Sequence, residues 1–463
     1  MLHLLFAMAA LTPPNGSPPA MSSTTPSRPA PILRVSANKR FLQYANGKPF
    51  FYLGDTAWEL FHRLNREEAD HYLTVRARQG FTVIQAVVLA EHGFDRPNAY
   101  GALPLRDNDP TKPNEAYFEH VDAIVRKAES LGMFVGMLPT WGDKWNKKWG
   151  AGPELFNPSN ARAYGEFLGR RYRDRAIIWI LGGDRPIETP GQRAVIEAMA
   201  EGLRAGDGGR HLMTFHPCGQ RTSAEWFQDA PWLSFNMLQS GHTRDRDNWR
   251  SIAEDYARTP TKPCLDGEPG YEDHPSGFDP KNGYMDETDT RKFAYWAVFA
   301  GALGHTYGCH DIWQFLSPAY PPISWARTPW PQALTLPGAR QVGFVRKLML
   351  SRPFFTRIPD PSLIVGDPGK GADHIEATRA ADGSYAMAYF AWGTPARIDL
   401  AKVSGTQIAA WWFDPRTGQA TRAGVYPAGG PRRFEPPTSG RGCDWVLVLD
   451  DASRKFPPPG QSR

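Results

Sequence analysis

Two carboxylates in this sequence follow apolar runs at positions where they could do acid–base chemistry. Asp184 follows AIIWIL through two glycines, and Glu268 follows PCLD through one glycine. Glycines allow tight backbone turns, so each carboxyl can be aimed from the end of a buried strand. One protonated and one ionised carboxyl are what hydrolysis of a glycosidic bond requires. Two structural roles stay open: Asp184 as the cap of the following turn, and Glu268 as one half of a rim salt bridge.

Polar and aromatic side chains also follow the other apolar runs. Amides, carboxylates and imidazoles can hold sugar hydroxyls, and flat indole rings can stack on the C–H face of a sugar. The candidate substrate-binding residues are Asp55, Trp58, Gln85, Trp141, His216, Asn236, Tyr271, His310 and Trp313. Structural alternatives remain open, because Asp55 could be a hydrogen-bond acceptor of the fold and the histidines could be buried, satisfied imidazoles.

Other kinds of hydrolytic site lack their motifs here. The sequence has no G-x-S-x-G nucleophile elbow and no H-E-x-x-H metal motif. Its four cysteines are far apart without a C-x-x-C pair, and its His and Asp residues show no short ligand spacing. We therefore expect no metal and no cofactor.

Eight short apolar runs separated by amphipathic stretches must position these residues. The runs are 49–54, 82–89, 133–138, 176–181, 211–215, 232–236, 263–266 and 304–308. The amphipathic stretches include 115–131, 160–172 (after a Ser159 N-cap) and 288–301. Buried strands alternating with helices predict a (β/α)8 TIM barrel, whose chemistry lies at the C-terminal strand ends. A doubly wound sheet competes, but GDTAWELF lacks the glycine-rich phosphate loop that such a sheet would need.

The remaining segments predict smaller units around the barrel. Residues 32–48 are expected to form a hairpin that caps the barrel, with Asn46-Gly47 as its turn, inside a catalytic domain of 32–354. Short β-rich runs predict a small antiparallel, β-sandwich-like domain over 355–452, followed by a loose tail at 453–463. Residues 1–31 resemble an export signal with a linker, although a basic start is missing. A periplasmic or secreted location is expected, and a cytoplasmic one stays open.

Composition excludes several classes of protein. The chain has 463 residues, of which 41% are apolar and 22% charged, as in an ordinary globular protein. Its 53 basic and 48 acidic residues give a net charge of only +5, without the basic run expected of a nucleic-acid partner. No internal stretch is apolar for the 18 residues that a membrane helix needs. An oligosaccharide or polysaccharide is the expected partner, and the oligomeric state is open.

Five segments together resemble a known family. In chain order these are PFFYLGDTAWELFHRL, FTVIQAVVL, WILGGD, KPCLDGEPGYE and YGCHDIWQF. This combination is similar to glycoside hydrolase family 140, apiosidase-like (β/α)8 barrels with a C-terminal module labelled as collagen-binding. The resemblance spans about residues 33–450.

The resemblance implies roles for the two carboxylates. The family is similar to retaining barrel glycosidases, which have the acid/base on strand 4 and the nucleophile on strand 7. This similarity implies Asp184 as the acid/base and Glu268 as the nucleophile of a double displacement. The implied substrate is apiose in pectic rhamnogalacturonan II. The basic, aromatic loop 143–156 would suit an acidic glycan, or is simply solvated. The alternative function is a carbohydrate- or matrix-binding protein without catalysis.

Overall fold

The computed structural model describes residues 30–461. The predicted export-signal segment therefore lies outside the described residues, apart from its last two positions. Within the described part of the chain, no helix is both long and apolar enough to cross a membrane.

Eight parallel strands form the centre of the molecule, and each overlaps a predicted apolar run. The sixth strand shares only Asn236 with its predicted run of 232–236, because it begins where that run ends. They are β1 (Tyr52–Thr56), β2 (Val83–Leu89), β3 (Phe134–Thr140), β4 (Ile177–Gly182), β5 (Met213–His216), β6 (Asn236–Gln239), β7 (Cys264–Asp266) and β8 (Gly304–Tyr307). Six strands pair continuously in the order β8-β1-β2-β3-β4-β5, and β6 pairs with β7. The prediction of a (β/α)8 barrel is confirmed.

Backbone hydrogen bonds join the two groups of barrel strands. The Ser234 amide, just before β6, donates to the carbonyl of Met213 in β5 at 2.7 Å. The Leu303 amide, just before β8, donates to the carbonyl of Cys264 in β7 at 2.9 Å. These bonds connect β5 to β6 and β7 to β8, so the eight strands form a closed ring.

Helices cover the outside of the ring. In chain order these helices are α1 (Leu60–Arg63), α2 (Arg66–Gln79), α3 (Glu115–Ser130), α4 (Pro158–Tyr172), α5 (Pro190–Asp207), α6 (Ala224–Phe227), α7 (Asn248–Ala257), α8 (Glu287–Phe299), α9 (His310–Trp313), α10 (Trp330–Ala333) and α11 (Pro337–Leu350). The predicted Ser159 cap of α4 is wrong. Asn157 caps this helix in a reciprocal capping box with Asn160, because the helix begins at Pro158, two residues earlier than predicted.

Successive side chains along each barrel strand belong alternately to two separate apolar layers, one inside the barrel and one under the helices. Tyr52, Val83 and Phe134 point into the barrel and pack with one another, whereas Leu53 and Ile84 point outward to the helices. This two-residue period decides which polar residue can reach the interior and which is held under a helix.

A small sheet closes the barrel at the N-terminal ends of its strands. It consists of Leu33–Val35, Leu42–Tyr44 and Pro49–Phe50, paired antiparallel, with Asn46-Gly47 in its second turn. The Phe50 ring lies edge-on to Phe134 at the start of β3, with centroids 5.3 Å apart. The mouth at the opposite end therefore stays open.

Two antiparallel sheets form the C-terminal domain. The larger has the strand order Arg357–Pro359, Ile375–Ala380, Tyr385–Phe390, Trp445–Asp451, Gln407–Phe413 and Ala420–Pro427, and the smaller consists of Ile364–Val365, Ala396–Asp399 and Pro431–Phe434. An apolar core of its own lies within this domain, centred on residues such as Phe390 and Leu447.

The larger sheet packs directly on the barrel through apolar side chains. Tyr385, Met387 and Tyr389 belong to the same apolar cluster as the outer layer of the barrel. A buried, two-bond ion pair joins Arg291 of α8 to Asp444, with nitrogen–oxygen distances of 3.0 and 2.7 Å. The two units therefore share one core.

The expectation of a loose tail is wrong for the residues that are described. The Phe456 ring lies under the Arg352 guanidinium, 4.9 Å from the centroid, and the Gly460 amide donates to the Ser351 hydroxyl at 3.1 Å. Both partners follow α11 directly, so the end of the chain packs against the end of the barrel.

Candidate active site

A cavity of about 600 Å3 opens at the C-terminal ends of the strands. Asp184 follows β4 and Glu268 follows β7, and both side chains line the cavity. The functional site thus lies where the barrel fold predicts it.

The turn that carries Asp184 depends on its two glycines. Gly182 and Gly183 have φ values of 91° and 110°, and Asp184 itself has φ 54°. A Cβ on Gly182 would lie 2.4 Å from the carbonyl oxygen of His216, and one on Gly183 would lie 2.7 Å from the amide of Gly142. Only glycine fits there, and this tight turn aims the Asp184 carboxyl into the cavity.

The surroundings of Asp184 raise the pKa of its carboxyl. Its Oδ2 accepts hydrogen bonds from the Arg185 guanidinium at 3.0 Å and from the Trp149 indole at 3.3 Å. Burial, and next the charge of Glu268, raise the pKa of Asp184 to about 6, against the opposing charge of Arg185. A carboxyl with this pKa holds a proton in mildly acidic solution, where an ordinary aspartate is ionised.

Glu268 is held in the opposite state. Tyr271 donates to its Oε1 at 2.7 Å, His242 contacts the same oxygen at 3.2 Å, and His216 contacts Oε2 at 2.9 Å. Burial alone would raise the pKa of Glu268, but the hydrogen bonds and charges of His216 and His242 outweigh it and hold this pKa well below the ordinary value. Glu268 is therefore an ionised carboxylate.

One imidazole touches both carboxylate-bearing turns. His216 ends β5, is fully buried, and contacts Glu268 through Nε2. Its Nδ1 faces the Asp184 amide, which donates to it at 3.4 Å. The two ring nitrogens of His216 therefore face the two turns that carry the carboxyls.

Aromatic side chains form the wall between the carboxylates. The rings of Trp58 and Trp141 lie 5.2 Å apart, and both flank the His216 ring. The Trp58 indole donates to the Tyr271 hydroxyl at 3.2 Å. The Trp141 indole N–H is buried without a protein acceptor. This unpaired donor and the flat rings provide the surface that a sugar would need.

The loop after β8 contributes another part of the wall. His310 donates from Nε2 to the Ser324 carbonyl at 2.8 Å and accepts at Nδ1 from the Trp313 indole at 3.1 Å. Both side chains line the cavity, as the sequence predicted. His310 is neutral because burial, its main influence, lowers its pKa to about 4.

Four of the predicted sugar contacts do not line the cavity. His216 is fully buried against Glu268, and the other three are held by partners within the fold. Asp55 points outward and is clamped under α2 by Arg76 at 2.6 Å. Gln85 points inward but lies deeper, where its amide donates to the Gly267 carbonyl at 3.1 Å. Asn236 begins β6, far from the mouth, and donates to Gln228 at 2.9 Å. All three are fully buried and serve the fold.

The cavity also contains residues that were not among the predicted site residues. His242 and His274 stack at 4.6 Å between centroids, and His274 is neutral because burial and then the neighbouring imidazoles hold its pKa far below the ordinary value. Glu91 pairs with Arg185 at 2.7 Å. Trp149 is 55% exposed at the edge. These residues lie in loops without a periodic pattern. The composition of the loops was therefore the only sequence signal for them.

The basic loop 143–156 is largely neutralised. Lys144 is buried against Asp143 at 2.7 Å, and Lys148 pairs with Glu188 across the loop. These lysines stabilise the loop and leave little positive charge for a ligand.

Metal-binding geometry is not seen in the described part of the chain. Among residues 30–461, no group of three or more His, Cys, Asp and Glu side chains is arranged to hold a metal ion. The expectation of a cofactor-free site stays a prediction.

Comparisons with known proteins define first the class and then the family. A crystal structure titled as a glycoside hydrolase family 5 protein from Bacteroides vulgatus ATCC 8482 has a TM-score of 0.85 and 38% identity, covering 91% of this chain and 93% of that one. A second structure, titled "Glycoside hydrolase", has a TM-score of 0.84 and 38% identity, covering 91% and 97%. The barrel and its site thus define a glycoside hydrolase.

Family descriptions match both parts of the chain. "Apiosidase-like, catalytic domain" matches residues 36–356, and "Putative collagen-binding domain of a collagenase" matches residues 358–450. The chain belongs to the apiosidase-like family, which confirms the predicted resemblance, while the family number 140 stays a prediction. A comparison with curated proteins gives no match.

Proposed function

We propose that this protein is a retaining glycoside hydrolase that removes apiose from pectic glycans such as rhamnogalacturonan II. The observation that carries the proposal is the pair of carboxyls with opposite pKa shifts in one cavity, Asp184 raised and Glu268 lowered. Such a pair provides an acid and a nucleophile at the same pH. The apiosidase-like family supports the choice of sugar.

In the first step a Glu268 oxygen attacks the anomeric carbon as the glycosidic bond breaks. Asp184 gives its proton to the departing oxygen, and an ester now joins Glu268 to the sugar. The Arg185 guanidinium, 3.0 Å from Asp184, stabilises the new negative charge on that carboxylate.

In the second step Asp184 acts as the base. It takes a proton from a water molecule, whose oxygen attacks the anomeric carbon and releases Glu268 as a carboxylate. His216, His242 and Tyr271 surround Glu268 and stabilise its charge when it leaves. Asp184 regains its proton, so the cycle is balanced without another reactant.

The test is incubation of the purified protein with rhamnogalacturonan II, with released sugars identified by mass spectrometry and their anomeric configuration followed by NMR. Apiose released first in the anomeric form it has in the glycan, and absent with Glu268→Gln, is the expected result. Release of another sugar contradicts the substrate, and release with inverted configuration contradicts the double displacement. No release from any plant glycan contradicts the hydrolase proposal for pectin.

A further inference from the structure

The loop after β6, residues 240–247, carries a contact to Glu268 but belongs to neither a helix nor a strand. His242 in this loop lies 3.2 Å from Oε1 of Glu268. Backbone hydrogen bonds tie its first half to its neighbours, since the Gly241 amide donates to the Glu268 carbonyl and the Gly277 amide donates to the His242 carbonyl. Because no regular element fixes the rest of the loop, side-chain contacts must help to place His242.

Arg244, two residues after His242, anchors this loop to the start of α8. Its Nε donates to Oδ2 of Asp289 at 3.2 Å, and its Nη2 donates to the Tyr284 carbonyl at 2.7 Å. The Lys292 ammonium, also on α8, donates to the carbonyl of Arg244 at 2.7 Å. The Asp289 side chain is only 4% exposed, so water screens its contacts weakly. Both the side chain and the backbone of Arg244 therefore depend on α8.

The C-terminal domain reaches the same buried carboxylate. Nη2 of Arg441 donates to Oδ2 of Asp289 at 2.9 Å, the oxygen that Arg244 also contacts. Arg441 forms a two-bond contact with Asp286, the N-cap of α8, at 2.7 and 2.9 Å. One carboxylate oxygen is thus shared by a guanidinium of each domain, and two-bond contacts of this kind fix geometry as well as charge.

The segment that presents Arg441 is itself held in place. Asp444 is buried against Arg291 of α8 through two hydrogen bonds, at 3.0 and 2.7 Å. The Gly442 carbonyl accepts from Nη1 of Arg416 at 3.1 Å, within the C-terminal domain. Because this segment is already ordered, Arg441 loses little conformational entropy when it holds its partners.

We propose that Arg441 of the C-terminal domain is a positioning residue for the catalytic site. Through Asp289 it holds Arg244 in place. The loop after β6 then keeps His242 against Glu268. Arg441 does not line the cavity, so the C-terminal domain contributes to catalysis without touching the substrate. This inference rests on the proposed function, because it concerns a contact that keeps the nucleophile charged.

Kinetics of apiose release from rhamnogalacturonan II provide the first test. The Arg441 side chain is 42% exposed, so Arg441→Gln is expected to fold. It should lower kcat about 3- to 10-fold with little change in KM, which is the size expected when one member of a coupled ion-pair network is lost. Arg441→Lys should recover part of kcat, since it keeps the charge but not the two-bond contact. Arg433→Gln removes an exposed pair with Glu435 in the same domain and should leave kcat unchanged.

The pH profile separates positioning from a general loss of structure. The titratable groups that face Glu268 are His216, His242, His274, Tyr271 and Asp184. The contact with His242 helps to hold the pKa of Glu268 low, so loosening it should raise that pKa. The acidic limb of kcat/KM should therefore move to higher pH in Arg441→Gln and stay in place in Arg433→Gln.

A double-mutant cycle tests whether Arg441 acts through His242. In the His242→Gln background, Arg441→Gln should have no further effect on kcat or on the acidic limb. Additive losses would overturn the inference, because they would show that Arg441 acts on another part of the site. An unchanged kcat and pH profile in the single variant Arg441→Gln would overturn it as well.

A measurement without turnover separates this inference from the proposed function. Wild-type inactivity on the glycan contradicts the proposed function and not the contact itself. The imidazole ¹⁵N chemical shifts of His242, assigned by comparison with His242→Gln, should change in Arg441→Gln and not in Arg433→Gln. Unchanged His242 shifts in Arg441→Gln would overturn the positioning role, even in an active enzyme.

Discussion

Asp184 and Glu268 carry the same functional group, but their surroundings separate their protonation states. Asp184 has one guanidinium and one exposed indole as hydrogen-bond partners, and it faces the charge of Glu268. Glu268 has a hydroxyl and two imidazoles within 3.2 Å. Since hydrogen bonds to a carboxylate favour its charged form, the richer set of donors keeps Glu268 ionised and leaves the proton on Asp184.

Substrates with different leaving groups should separate the roles of the two carboxyls. Asp184→Asn is expected to lower kcat/KM on a natural glycan by about 10²- to 10⁴-fold, because the departing oxygen is no longer protonated. An aryl glycoside with an acidic phenol should lose far less in its first step, since it departs without a proton. Glu268→Gln should lose activity on both.

Steady-state and burst kinetics on both substrates provide the check. Glu254→Gln, at an exposed carboxyl outside the cavity, is the control. Equal losses on both substrates in Asp184→Asn would contradict its role as the acid.

The pH profile should show the raised pKa of Asp184. We expect kcat/KM to fall as the pH rises through about 6, because burial and the charge of Glu268 set the Asp184 pKa there, and the acid then loses its proton. Activity should persist down to about pH 4, the ordinary range of a glutamate, since Glu268 is ionised well below it. The profile of kcat/KM from pH 3 to 9 measures both limbs, and a constant rate between pH 5 and 8 would contradict the assignment.

At the scale of the elements, strand alternation explains which parts of the site were predictable. Eight apolar runs were enough to predict the barrel, and one or two glycines after β4 and β7 were enough to choose Asp184 and Glu268. Asp55 was chosen wrongly because an apolar strand followed by a polar residue does not reveal which side of the sheet that residue faces. In β1, Leu53 and Asp55 point to α2, whereas Tyr52 points inward.

The loops were the part that the sequence could not provide. His242 and His274 lie in segments without periodicity, and their stacking depends on how the loops after β6 and β7 pack together. The same limitation affects loop 143–156, which is basic in the sequence although Asp143 and Glu188 neutralise two of its lysines. The charge of a loop taken from its sequence includes every charged residue. A ligand, however, can pair only with those charged side chains that lack a partner in the protein.

Asp55 should matter for stability and not for substrate affinity. Asp55→Ala leaves Arg76 buried without its carboxylate, so we expect the free energy of unfolding to fall by about 3–5 kcal/mol. The KM of the folded fraction should not change, because Asp55 does not line the cavity.

Denaturant unfolding and kinetics at low temperature measure the two effects. Asp70→Ala, which lies on α2 as Arg76 does, removes an exposed partner of Lys127 of α3 and should cost less than about 1 kcal/mol. A raised KM with normal stability in Asp55→Ala would instead support the sugar contact that the sequence predicted.

At the scale of the whole molecule, the barrel and the C-terminal domain are expected to unfold together. They share an apolar cluster, and the Arg291–Asp444 pair between them is buried on both sides. Interfaces between domains that move independently are smaller and more polar. A binding role for the C-terminal domain would therefore be added to its structural role.

Asp444→Ala tests this coupling. It should lower stability by about 3–5 kcal/mol, because the Arg291 guanidinium stays buried without its partner. Differential scanning calorimetry should give a single transition for the wild type and for this variant, at a lower Tm in the variant. Two separate transitions in the wild type would contradict the shared core. Arg433→Ala, which removes an exposed pair with Glu435, is the control.

The shared core also constrains how such a chain can arise and change by descent. Arg357, in the first strand of the C-terminal domain, is fully buried and donates to the Ala302 carbonyl of the barrel at 2.6 Å and to the carbonyl of Val298. A recombination event that joined this C-terminal segment to a different barrel would bury that guanidinium without acceptors. The two segments are therefore expected to be inherited together, because the carbonyls that accept from Arg357 belong to the backbone of this barrel.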